Sequence, residues 1–361
     1  MRFAALFALA LACLADDAAR LLRVDHYVPV QSAVPAIAGQ TAQIYVREVV
    51  TAATAARSVD PDRVVLFVHG AGTPGEVAFD TPFEDYSWMA FLARAGYDVF
   101  AMDMTGYGRS TRPLPMNDRC NLAGDQQKAL FGAACPPTYQ KTMTTIASDW
   151  ADIGAVVDHL RALRKVEKVT LFGWSLGGPR AGGYTAQNPG KVARLILLAP
   201  AYRRGSSLIQ PTGAPATAAF ATQSKAEFFA NWERQTECAG QVDPRVREAV
   251  WTDMQASDPQ TATWGPGVRR APLVSVWGWN ESVVGKMATP ALIVAAALDK
   301  QALPANVRTL YDDLGSTKKT YLDLGCASHN ALWERNHLVL FQASLDFLRG
   351  TLPDGVVKRG Y

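Results

Sequence analysis

The stretch "KVTLFGWSLGGPRAGGYTAQNPGKVARLILLAP", residues 168–200, puts Ser175 between two glycines at the end of an apolar run, with a helix opening behind it. Residues 169–172 are short, β-branched and aromatic, as in a buried strand, and 176–188, closed by Pro189-Gly190, reads as a short helix. A serine on the turn between them, with Gly173 and Gly177 two residues to either side, fits the G-x-S-x-G elbow that presents a nucleophile. Both glycines serve a tight turn in which a Cβ would meet neighbouring backbone. A glycine-rich turn with an ordinary surface serine has the same letters, so the reading depends on the rest of the chain.

Working outward, apolar runs that read as strands lie at 44–49, 64–68, 99–102, 169–172, 195–198, 292–296 and 320–324. Between them, helical patterns occupy 88–94, 146–163, 177–187, 307–314 and 338–348. In the second of these Ile153, Val156, Val157, Leu160 and Leu163 recur at helical spacing and give one apolar face. Short, wholly apolar strands alternating with helices predict an α/β fold with a mostly parallel sheet covered on both sides. Residues 201–286 break the alternation. They hold Trp232, Trp251, Trp264, Trp277 and Trp279 and two helical patterns near 225–234 and 245–255, and read as a mainly helical cap inserted between two late strands. Each of those tryptophans can equally belong to a small core of the cap's own.

A serine hydroxyl needs a base to take its proton, and the base needs a carboxylate to orient it. After Ser175, the run "PALIVAAALDK" ends in Asp299 and "TYLDLGCASHN" is followed by His329, giving the order Ser, acid, His at successive strand ends. Of the other histidines, His26 precedes the sheet, His69 belongs to "VVLFVHGAGTPG", His159 sits in the long helix and His337 opens the last one. Asp323 falls within a strand and Asp312 within a helix, which leaves Asp299 as the acid.

With "HGAG", "GWSLGG", Asp299, His329 and the D-x-x-G-x-G-x-S turn in "GYDVFAMDMTGYGRS", the chain resembles the α/β-hydrolase superfamily, in the branch with a cap, over residues 44–348. The resemblance implies an oxyanion hole made by the backbone N–H of Ala71, with Gly72 as the alternative donor, and by that of Leu176 at the amino end of the elbow helix. It leaves His69 as a residue that holds its loop. Trp174 and Leu176 flank the nucleophile and line the substrate, though packing under the sheet is an equal reading for Trp174. Dehalogenases and epoxide hydrolases of the superfamily carry aspartate at the elbow, and Ser175 argues against both. Proline iminopeptidases usually have a second glycine and a proline after His-Gly, from which "HGAGT" departs. The expected activity is hydrolysis of a carboxylic ester with an apolar small-molecule substrate. Hydrolases of carbon–carbon bonds next to a ketone, and a non-catalytic binding protein on the same scaffold, are the alternatives.

Bulk properties fit a globular enzyme. With 361 residues, 36 Lys+Arg against 33 Asp+Glu and no basic run, nucleic acid is not an expected partner, and no cofactor or metal site is expected. "MRFAALFALALACLADDAAR" has the outline of a secretory leader, too short to span a bilayer, with 1–15 removed and the core at 16–200 and 287–361. Export to the periplasm or medium follows from that reading, and a cytoplasmic protein from its failure. Removing the leader, and Cys13 with it, leaves Cys120, Cys135, Cys238 and Cys326. They are expected to pair as Cys120–Cys135 and Cys238–Cys326, with four unpaired buried thiols as the alternative.

Overall fold

The computed structural model describes residues 18–57, 60–211 and 218–360, so the expected leader lies outside the described residues. The central sheet contains β1 (Leu21–Gln31), β2 (Thr41–Thr51), β3 (Val64–Val68), β4 (Asp98–Met102), β5 (Val169–Trp174), β6 (Val192–Leu198), β7 (Ala291–Ala296), β8 (Lys319–Leu324) and β9 (Gly355–Arg359). Their spatial order is β1-β2-β4-β3-β5-β6-β7-β8-β9. Only β2 runs against its neighbours; the pairs from β4 to β9 are parallel.

The inner strands β3, β4, β5 and β7 are buried along their whole length, which is why they read as unbroken apolar runs. The two edge strands escaped the sequence reading. β1 carries Arg23, Asp25 and Pro29 and β9 carries Lys358 and Arg359, residues that blunt an exposed sheet edge and hide it from an apolar pattern. His26 accordingly lies within β1 rather than ahead of the sheet, and its Nε2 is 2.7 Å from the Glu48 carboxylate.

Helices cover both faces: α1 (Trp88–Arg94), α2 (Ile146–Arg164), α3 (Lys225–Glu233), α4 (Pro244–Ser257), α5 (Pro304–Asp313) and α6 (His337–Leu348). Helix α2 opens with a capping box in which the Ser148 amide donates to Thr145 Oγ1 at 3.1 Å and the Thr145 amide donates to Ser148 Oγ at 3.0 Å. Its expected apolar face holds at Ile153, Val156, Val157 and Leu160, but Leu163 in the last turn is exposed. Asp149 and Asp152 are buried on this helix, a feature that hydrophobic periodicity could not signal. None of the described helices is long and apolar enough to cross a membrane.

The chain leaves the sheet after β6 and returns at β7, and the intervening residues carry an antiparallel strand pair, Phe220–Ser224 with Val268–Pro272, with α3 and α4 between its two strands. A second segment, between β4 and α2, packs with it. Met116, Leu122 and Met143 from that segment form one small core with Phe220, Trp264 and Val268. The two-residue strand Thr144–Thr145 pairs with Val274–Ser275. Asp258 accepts from Arg270 Nε and Nη2, both at 2.8 Å, and from Arg112 Nη1 at 2.9 Å, which ties the two segments through buried charges. The covering layer over the sheet is therefore drawn from two stretches far apart in sequence, of which only 201–286 was legible.

The cysteines meet in the expected pairs. Cys120 and Cys135 close the loop of the first segment with Cα atoms 5.2 Å apart. Cys238 and Cys326, 5.8 Å apart, join the residues after α3 to the loop after β8.

Candidate active site

Ser175 follows β5 with φ of 58°, the left-handed region that side-chain-bearing residues rarely enter. Its amide donates to Leu198 O at 3.0 Å, and its carbonyl accepts from Gly178 N and Ala201 N, both at 2.9 Å, so the turn is held by the adjacent strand and its exit. A Cβ on Gly173 would lie 2.4 Å from Gly177 O, and one on Gly177 would lie 2.5 Å from Val68 O. These clashes are the physical content of the glycine spacing. Behind the serine the chain does not enter an ordinary helix at once: Gly178–Gly182 is wound as a π turn around Pro179, and Gly183–Gln187 then continues as α-helix.

Asp299 follows β7 and His329 follows β8. His329 Nδ1 lies 2.8 Å from Asp299 Oδ2, and the other carboxylate oxygen accepts from Gln301 N at 2.7 Å and Ala302 N at 2.9 Å. Both residues are buried. A carboxylate held in this way puts the proton of a neutral imidazole on Nδ1 and leaves the Nε2 lone pair free.

The histidine loop is itself tied down by residues that the sequence did not announce. Glu334, fully buried, accepts from Ser328 N at 2.7 Å, from Ser328 Oγ, from Trp232 Nε1 at 2.7 Å and from Gln241 Nε2 at 3.1 Å. Burial pushes its carboxyl above the usual range, opposed by those hydrogen bonds. Two of the four donors come from the 201–286 segment, so this carboxylate couples that segment to the loop that carries His329. Trp174 Nε1 donates to His329 O at 2.9 Å. Replacing Glu334 by Ala leaves several buried donors unpartnered and is expected to cost about 3 kcal/mol of stability, with Glu334→Gln costing less because it keeps an acceptor. Thermal unfolding of the two variants beside wild type measures the difference, and equal melting temperatures for all three would refute it.

On the other side of Ser175 lies the loop after β3. His69 Nδ1 is 2.7 Å from Gly70 O and Met104 N donates to His69 Nε2 at 3.0 Å, which makes His69 a neutral imidazole bridging two backbones. Burial and the nearby Arg180 hold its pKa well below the usual value. It holds its loop, as its place in the sequence implied. Arg180, fully buried in the π turn, donates to His69 O at 3.0 Å, to Gly70 O at 2.9 Å and to Asp149 at 2.7 Å. The same guanidinium therefore clamps this loop to the elbow. Gly70 packs so closely against Ser175 that a Cβ there would lie 2.8 Å from Ser175 Cβ. Among the described residues, neither the Ala71 nor the Leu176 amide finds a protein acceptor. The D-x-x-G-x-G-x-S turn supports the same loop from below: Asp103 Oδ1 accepts from Gly75 N at 2.7 Å and Oδ2 from Arg109 N at 3.0 Å.

Ser175 and His329 open onto two connected chambers. One, of about 510 Å³, is lined by Leu176, Tyr202, Val276, Trp277 and Trp279. The other, of about 310 Å³, is lined by Ala71, Gly72, Trp174, Phe228 and the polar Gln223, Asn231 and Arg269. Leu176 lines the larger chamber, while Trp174 is buried and both lines the smaller one and anchors the histidine loop. Of the tryptophans in 201–286, Trp277 and Trp279 reach the site; Trp232 packs against Trp333 and Trp264 against Phe220 in the protein's own cores. Arg269, Arg180 and Glu334 carry no sequence signal of their own, since each acquires its role from a contact across the fold.

The fold has relatives among known proteins. The family model described as Serine aminopeptidase, S33 (Hydrolase_4) matches residues 59–336. Among curated proteins none matches. Among solved structures, an esterase from Thermogutta terrifontis is similar with a TM-score of 0.54 at 14% identity, over 91% of this chain and 100% of that one. A serine hydrolase from the polyaromatic hydrocarbon-degrading bacterium Cycloclasticus zankles has a TM-score of 0.54 at 15% identity, over 92% and 100%. A monoacylglycerol lipase from Paleococcus ferrophilus has a TM-score of 0.50 at 17% identity, over 85% and 99%. At these identities the structures speak for the fold, while the family match spans well over half of the chain. The chain belongs to the Hydrolase_4 (Serine aminopeptidase, S33) family and is a serine hydrolase of the α/β-hydrolase superfamily.

Proposed function

We propose that this protein is a carboxylic ester hydrolase working through an acyl-enzyme on Ser175. The observation that carries the reading is the 2.8 Å bond between His329 Nδ1 and an Asp299 carboxylate whose second oxygen is already engaged, beside a serine on a positive-φ turn. Ser175 Oγ attacks the ester carbonyl carbon while His329 Nε2 takes its proton. The oxyanion rests between the N–H groups of Ala71 and Leu176, with Gly72 as the alternative to Ala71. His329 returns the proton to the leaving alcohol, and a water deprotonated by the same nitrogen releases the acid.

Cleavage of an amino-terminal peptide bond is a poorer fit. A substrate ammonium needs an anionic partner close to the scissile carbonyl. Among the described residues, those lining the two chambers include no Asp or Glu, and the charged side chains there are Arg203 and Arg269. The Trp277 and Trp279 walls suit an apolar group. We further propose that 201–286 acts as a cap over this site and that the leader at 1–15 directs export.

The test is a fluorophosphonate probe with peptide mapping, followed by turnover of p-nitrophenyl esters of rising chain length, vinylogous diketones and aminoacyl p-nitroanilides. Labelling of Ser175 and turnover of the esters alone is the expected result. Preferred cleavage of a diketone would replace the reading with carbon–carbon bond hydrolysis, and a folded protein that takes no label would make it a binding protein.

A further inference from the structure

Consecutive residues of a strand point to opposite faces, and in the cap strand Val268–Pro272 they are two arginines with different surroundings. Arg270 turns into the cap, where the Asp258 carboxylate accepts from its Nε and Nη2, both at 2.8 Å. Arg269 turns toward the chamber it shares with Ser175 and His329. Its Nη1 donates to Thr73 Oγ1 at 3.0 Å and its guanidinium carbon lies 5.0 Å from the centre of the Phe228 ring. No carboxylate pairs with it among the described residues, and burial lowers its pKa to about 10, which still leaves it charged at neutral pH.

Arg269 is half-buried, and a cation partly withdrawn from water with no counterion carries a desolvation cost that an anion arriving in the chamber would offset. The geometry of the guanidinium fits that expectation. Its Nε and Nη2 lie on one edge, the fork that matches the two oxygens of a carboxylate, and neither donates to a protein acceptor among the described residues. Gln223 Oε1 and Asn231 Oδ1, on side chains lining the same chamber, are buried without partners; each accepts as placed, and turning the carboxamide over presents its NH₂ to a carboxylate instead. The loop that carries Ala71 and Gly72 is shaped around this side chain: a Cβ on Gly72 would lie 2.6 Å from Arg269 Cζ.

We propose that Arg269 binds a carboxylate carried by the substrate itself. The preferred substrate is then an ester with a free acid group on the half that enters the smaller chamber, its apolar half lying against Trp277 and Trp279. This rests on the esterase reading of Ser175.

The experiment uses two matched pairs of esters. Mono-p-nitrophenyl adipate and its methyl-capped neutral form place the charge on the acyl half; the hexanoate esters of p-hydroxybenzoate and of methyl p-hydroxybenzoate place it on the alcohol half. The measurement is kcat/KM for wild type, Arg269→Gln and Arg269→Lys, with fluorophosphonate labelling of Ser175 in each. In one pair, wild type is expected to prefer the anion by about tenfold or more, mainly through KM. Arg269→Gln erases that preference and Arg269→Lys retains part of it. A labelled wild type with no preference in either pair, or a preference that survives Arg269→Gln, overturns the carboxylate site and leaves the esterase reading intact. Absence of labelling together with no turnover of all four esters overturns both. Should Arg269→Gln unfold, judged by circular dichroism, wild type alone decides. Hexanoate must then inhibit about tenfold more tightly than hexanamide, and equal inhibition refutes the site.

Discussion

Ser175→Ala is expected to abolish fluorophosphonate labelling and lower kcat/KM toward p-nitrophenyl esters by at least about 10⁴-fold, the scale on which removal of a serine nucleophile acts. The fold should not notice the change. The bonds that hold the turn run through the backbone of residue 175, from its amide to Leu198 O and from Gly178 N and Ala201 N to its carbonyl, and alanine keeps all three. Both residues carry a Cβ, so the cost of φ at 58° is the same before and after. The variant should therefore melt within about 1 kcal/mol of wild type while losing activity, since the exchange touches no packed core and no buried bond. Retention of a tenth of the activity would remove Ser175 from the chemistry.

Asp299→Asn is expected to cost about 10⁴-fold in kcat with KM close to wild type. The reason lies in the second oxygen of the carboxylate. Oδ1 accepts from Gln301 N and Ala302 N, so a carboxamide at this position keeps its oxygen there and turns its NH₂ toward His329 Nδ1. Nδ1 must then accept, and the imidazole proton moves to Nε2. The nitrogen meant to take the serine proton carries one already. Kinetics resolved into kcat and KM, with the rate of fluorophosphonate labelling alongside, separate this tautomer effect from a loss of binding. A variant that labels at the wild-type rate would show that Asp299 does not set the tautomer.

The contrast between these residues and those around them explains how much of the site could be read in advance. Ser175, Asp299 and His329 stand at strand ends in a fixed order, and the constraints that mark them are local: a glycine two residues away on either side, an apolar strand ending in an acid, a histidine just past the next strand. Trp174 was legible as a neighbour of the nucleophile but not as the donor to His329 O, a bond between residues 155 positions apart. Glu334 resembles any charged residue ahead of a helix until four donors from three parts of the chain close on it. Asp149 and Asp152 fall on the buried side of α2, where the periodicity of valine and leucine predicted only apolar packing. The edge strands escaped for the complementary reason. They face water on their outer sides, and their charged residues erase the pattern by which inner strands are recognised.

The sheet, its helical cover and the elbow follow from short-range pattern, because burial on both faces forces near-continuous apolar strands and a tight turn forces glycine where a Cβ has no room. The layer that residues 201–286 help to form did not follow in the same way. Its core joins Met116, Leu122 and Met143 to Phe220, Trp264 and Val268 across a gap in the chain that holds the whole elbow, and no local signal marks such a pairing. Arg269 and Arg270 make the same point at the smallest scale. Two identical adjacent letters become a buried structural ion pair and a cation in the chamber of Ser175 with no carboxylate partner among the described residues, because strand pleating sends them to opposite faces and only the folded chain determines what each face meets.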